Sequence, residues 1–134
     1  MNLKEENQKL LEHCIEYAKE LLEETGEAYP FGGYIDTIGN VHPLEMEVDN
    51  KNMPTISQVM DTLKKYCEVE MTGKRMCGYA LTYEVSIEVP DEKKKDCIAI
   101  DITHESEVLP VFYLPFEKEA SGEMKIGDLF AVKR

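Results

Sequence analysis

Apolar residues recur at three- and four-residue steps through the first part of the chain, at Leu3, Leu10, Leu11, Cys14, Ile15, Ala18, Leu21 and Leu22. Glu12, Glu16, Lys19, Glu20 and Glu23 fall on the opposite side. One apolar stripe with a charged back predicts an amphipathic helix over about residues 3–25. Asn2 is placed to cap its start, with Glu5 three residues on, and Gly26 to stop it. A second helix is predicted from the capping box Thr55-Ile56-Ser57-Gln58 to about Met71. Ile56, Val59, Met60, Leu63 and Cys67 form its stripe, and Gly73 lies just past its end.

Elsewhere the period is two. Residues 31–38 read as a strand, Gly39-Asn40 as a tight turn and residues 41–48 as the hairpin partner, with Pro43 marking a sheet edge or bulge because it cannot donate to a ladder. Residues 77–89 alternate strictly, Tyr79, Leu81, Tyr83, Val85, Ile87 and Val89 against Ala80, Thr82, Glu84, Ser86 and Glu88. After Pro90 and a charged turn, residues 97–103 place Ile98, Ile100 and Ile102 on one face. Residues 108–116 do the same with Phe112, Leu114 and Phe116, and a short closing element ends the chain.

The order α-β-β-α-β-β-β with hairpin-length turns predicts an α+β domain: an antiparallel sheet of about five strands with both helices on one face. At 134 residues, with neither linker nor repeat, residues 1–134 are read as a single domain. No run of 18 apolar residues and no signal-like start is present, so no membrane association and a cytoplasmic location are expected.

Charge narrows the partners. The formal net charge is −12, from 27 acidic against 15 basic residues. Such a surface repels polyanions and disfavours nucleic acid and anionic membranes; it suits solubility, or a basic partner protein or cationic ligand. The four cysteines, Cys14, Cys67, Cys77 and Cys97, follow no metal-ligand spacing and are expected to be reduced, buried thiols.

No catalytic residue, metal ligand or cofactor site is assigned. His13 and Cys14 are neighbours in sequence, but adjacent helical residues point apart. His104 falls in an expected solvated turn, and His42 at the mouth of the first hairpin on the face of Leu44. Asp36 and Asp101 lie on strands, where each could border a polar pocket or belong to a wet face. Gly32-Gly33 opens a strand and not a helix, so it is no phosphate cradle; it suits close packing against the first helix, or a ligand.

Two stretches carry a resemblance. EAYPFGGYIDTIGNV resembles the YPFG, variable strand, D-x-x-G opening of a family of small uncharacterised bacterial proteins, and YLPFEKEASGEMKIGDLFAVK is similar to that family's LPY, polar loop, YGELFA close. Phe116 stands where Tyr is usual, and Lys125-Ile126-Gly127-Asp128 replaces the commoner Y-G-E. The element order is also similar to the roadblock, longin and profilin group. The resemblance implies a cytoplasmic bacterial protein and supplies no site residues.

The expectation is a non-catalytic protein-interaction module of adaptor or immunity type, leaning away from an enzyme. Its partner is another protein, a basic one in the immunity version, or a second copy in a homodimer. In the immunity version, Glu84 and Glu88 lie in one negative patch. A small-ligand sensor is the alternative, with its cleft near Gly32, Gly33 and Asp36; His42 is a further candidate.

Overall fold

The computed structural model describes residues 3–27, 30–44, 55–88 and 94–133. Helix α1 (Glu5–Thr25) leads into a hairpin, β1 (Phe31–Ile35) and β2 (Val41–Leu44). Helix α2 (Ile56–Thr72) follows, then β3 (Gly78–Ile87), β4 (Lys95–His104), β5 (Val111–Lys118), β6 (Met124–Ile126) and β7 (Phe130–Val132). The α+β class is as expected. The antiparallel sheet has seven strands where about five were predicted, in the order β2-β1-β3-β4-β5-β6 with β7 also on β5. The closing element divides into two short strands because both lie along the same outer edge of β5, at Phe116–Lys118 and Val111–Tyr113.

The helix ends follow local chemistry. Gly26 adopts φ 76° and returns its N–H to the Leu22 carbonyl, closing α1 as predicted. The start differs: Lys4 is the N-cap and makes no side-chain cap bond, while Asn2 lies outside the described residues. At α2 the capping box forms in full, with the Gln58 amide donating to Thr55 Oγ1 (3.1 Å) and the Thr55 amide to Gln58 Oε1 (2.8 Å).

The expectation that both helices share one face is overturned: they lie on opposite faces. Cross-strand partners share a face, and Thr82 pairs with Ile100 and Ala80 with Ile102. This side, with Phe31, Ile35, Phe112 and Leu114, packs beneath Leu10, Leu11, Cys14, Ala18 and Leu22 of α1. Tyr79 and Leu81, pointing the other way, pack with Val59, Leu63 and Cys67 of α2. The physical reason is that residues 78–82 are covered twice. Ala80 and Thr82 are fully buried, the alternating residues Tyr79 and Leu81 are buried as well, and the Thr82 hydroxyl is satisfied by the Phe31 carbonyl at 2.7 Å.

Close approach of α1 explains Gly33, as the sequence suggested. A Cβ there would lie 2.9 Å from Leu10 Cδ1, whereas at Gly32 it would lie 2.5 Å from the Ala80 carbonyl oxygen. A leucine methyl can rotate away and a sheet carbonyl cannot. Gly33→Ala is therefore expected to destabilise by about 1 kcal/mol and Gly32→Ala by about 2–3 kcal/mol, an order that urea denaturation midpoints of the two variants will check.

Candidate functional site

The first hairpin brings together two of the predicted site residues. β1 ends one residue before Asp36, whose carboxylate folds the turn: Oδ1 accepts the Ile38 and Asn40 amides at 3.0 and 2.9 Å. The Asp36 amide donates to the Asn40 carbonyl, and Gly39 takes φ 91°. The turn therefore spans residues 36–40, longer than the two-residue turn expected, because an Asp that captures nearby amides competes with the ladder. Asp36 Oδ2 meets His42 Nε2 at 2.7 Å, and the His42 ring stacks on Tyr34, centroids 4.9 Å apart. The His42 hydrogen bond holds the Asp36 carboxyl below the usual carboxylate range, and the Asn40 and Ile38 amides add to it.

Behind the turn, the Cys77 thiol donates to the Asp36 carbonyl at 3.2 Å. Burial raises the Cys77 pKa, and the charges of Glu105, Glu6 and Asp36 raise it further. That is the reverse of what a nucleophilic thiol needs. Cys14 is pushed up to about 12 by burial, Cys67 to about 12 by burial with Glu70 and Glu68 adding, and Cys97 upward by burial. All four thiols are free. Among the described residues, no group of three His, Cys, Asp or Glu is placed to hold a metal ion.

His104 departs from the solvated-turn expectation. It is the last residue of β4, and its side chain is 2% exposed. The Ser106 amide donates to Nδ1 at 3.1 Å, so the ring proton sits on Nε2, 3.4 Å from Glu6 Oε2 without hydrogen-bond geometry. Beside it on α1, the fully buried Asn7 donates to Glu107 Oε1 at 2.6 Å. These contacts pin the first turn of α1 to the β4–β5 connection.

Gly32 and Gly33 are buried in the sheet and line none of the clefts described here. Glu84 and Glu88 are exposed on and just past β3. Asp101 lies on the α2 side, on β4 opposite Leu81 of β3. A cleft of about 380 Å³ that sequence reasoning missed lies between α2 and the sheet, lined by Met60, Asp61 and Lys64 of α2 together with Tyr79, Leu81, Tyr83, Asp101 and Thr103. The alternating tyrosines of β3 were its one visible trace, and they read equally well as core. A larger recess of about 590 Å³ lies between the end of α1 and the β5–β6 turn; Glu23, Glu24, Lys118 and Glu123 line it, and it is open to solvent.

Among the described residues no helix is long and apolar enough to cross a membrane. Comparison with protein-family models, with curated proteins and with solved structures finds no match.

Two outcomes are expected. NMR titration of the Asp36 carboxyl will show a midpoint below that of free aspartate, moving upward in His42→Ala. Because the folded value is the depressed one, Asp36 stabilises the fold at pH above the unfolded midpoint, and this contribution is lost as pH falls through the folded midpoint. For the thiols, a disulfide reagent at pH 8 will modify Cys77 first and reach Cys14, Cys67 and Cys97 only on unfolding, as mass mapping of the labelled peptides will show.

Proposed function

We propose that the chain is a non-catalytic interaction module that captures a basic partner protein through its α1 side. The observation that carries this reading is a one-sided accumulation of acid. From residue 12 to residue 27 the sequence holds six glutamates, Glu12, Glu16, Glu20, Glu23, Glu24 and Glu27, against Lys19 as the one lysine or arginine. All six are exposed, because the opposite stripe of the helix is consumed by the core.

The β3–β4 end of the sheet extends this surface. Glu84 shares the α1 side with Thr82, and Asp96, also exposed, accepts from Ser86 at 2.8 Å. The last turn of α1 runs to the same end of the sheet, where Leu22 and Gly26 border the same recess as Met124 of β6. Clustered like charge of this kind speeds encounter with an oppositely charged partner and discourages nucleic acid. The roadblock-like element order goes with an adaptor role, and the resemblance to the bacterial family with a cytoplasmic bacterial protein.

Native mass spectrometry on tagged protein purified from its own host is the direct test, and the expected result is a discrete added mass from a basic chain. The variant Glu16→Lys, Glu20→Lys, Glu84→Lys, Glu88→Lys is expected to lose that mass, with association slowed roughly tenfold or more at low salt. Capture that survives all four reversals would overturn the reading, as would an added mass of a second copy of this chain alone.

A further inference from the structure

The edges of the sheet are finished differently. At one end β2 carries Pro43, which cannot donate to a further strand. The other end is shared by β6 and β7, and β6 carries Lys125 at its centre. A proline or a lysine on an edge strand keeps it from pairing with another chain. β7 has neither. Its residues, Phe130, Ala131 and Val132, are uncharged and exposed, and among the described residues it pairs with β5 alone. Phe130 and Val132 remain 38% and 45% exposed, although Phe130 stacks on Tyr113 and Val132 pairs with Val111.

The residues flanking β7 indicate what fits it. Asp128 lies just before the strand and Lys133 just after it, both exposed. Residues 128–133 are therefore neutral overall in a chain of net charge −12, with acid at one end and base at the other. Antiparallel pairing with an identical strand sets the acidic end of each beside the basic end of the other. A two-fold axis at Ala131 also places Phe130 of each copy opposite Val132 of the other, on one face of the sheet. Charge elsewhere does not oppose the pairing. α1 lies over β1, β3 and β4, so across a β7–β7 pair the two acidic helices stand roughly 30 Å apart. That is several times the screening length of about 8 Å at physiological salt.

We propose that β7 is a dimerisation edge, where a second copy of this chain pairs antiparallel about Ala131 and joins the two sheets into one. Three-residue strands bury little surface, so the dimer is weak and exchanges with monomer. Both α1 surfaces stay uncovered in it. In the native mass spectrum a pair of chains carrying a basic partner fits both readings, whereas a bare pair fits this one and overturns capture through α1.

Sedimentation equilibrium of the full chain, from micromolar to millimolar protein, is expected to show the average mass rising from one chain toward two. Concentration-dependent amide shifts should centre on residues 128–133. Asp128→Lys, which sets like charges side by side at both ends of the pair, should weaken the dimer roughly fivefold, and adding Lys133→Glu should restore it. Ala131→Lys places two ammonium groups opposite each other at the axis and should weaken it roughly tenfold or more. All three positions are exposed, so the variants keep the fold, which circular dichroism checks. A monomer at every concentration would overturn the proposal. So would shifts centred on β2 or on the exposed Tyr66 and Val69 of α2, or a charge swap that associates no more tightly than Asp128→Lys alone.

Discussion

The first half of β3 must be buried on both sides at once, and the arrangement of the domain follows from that constraint. Residues Gly78–Thr82 lie between β1 and β4, with α1 above and α2 below. The two faces of this segment are unequal. Toward α1 it presents Gly78, Ala80 and Thr82; toward α2 it presents Tyr79 and Leu81. Small residues let α1 approach closely, and the room they leave is filled by large side chains from β4 and β5, Ile98, Ile100, Ile102, Phe112 and Leu114. Each such side chain, fully buried, contributes about 1.5–3 kcal/mol. Large residues on the other face hold α2 over the strand row itself. There a narrow apolar stripe suffices, and cover ends at the Tyr79–Tyr83 row.

Much of this was legible in the chain, and the failures have a common physical origin. Local chemistry was readable because it depends on neighbours: the capping box at Thr55, the left-handed stop at Gly26 and the alternation of β3 and β4 are written within a few residues. What alternation cannot specify is whether the second face of a strand meets water or another layer. Ala80 and Thr82 alternate in sequence with the large apolar residues and run on into Glu84, yet they share their face with buried isoleucines. The absence of charge between residues 78 and 82 was the available sign of double cover, and it implied helices on opposite sides. His104 was read as a turn residue because it precedes Glu105-Ser106-Glu107; its burial depends on Glu6 and Asn7, about a hundred residues earlier in the chain. The Asp36–His42 pair was half legible: both residues stood out, and only the longer turn joined them.

The same asymmetry separates the chemistry of the two sides. α1 buries a broad stripe, so nearly everything it offers to solvent is charged, and the sequence makes that charge acidic. α2 buries less and covers less, so the sheet beside it keeps aromatic and apolar surface within reach of solvent: Tyr83, then Tyr113 stacked on Phe130 at 5.5 Å. Tyr83 pairs through Ala99 with Tyr113, and Tyr113 with Phe130, so these rings continue one row across β3, β4, β5 and β7. The α1 side therefore offers solvent mostly charge, and the α2 side mostly aromatic surface.

The Asp36–His42 pair belongs to neither side's recognition surface, although a histidine against a carboxylate is the arrangement a general base requires. Its geometry assigns it to the turn. Asp36 already accepts two backbone amides through its other oxygen, so moving it would cost the hairpin its closure, and His42 is held flat on Tyr34. Catalysis by such a pair needs a group for it to deprotonate. The thiol beside it, Cys77, donates instead to the Asp36 carbonyl and is held in its protonated form by burial and by three surrounding carboxylates. Asp36 and His42 thus fix the corner where β1, β2 and the start of β3 meet, and that corner sets the β1–β3 register on which the doubly covered segment rests.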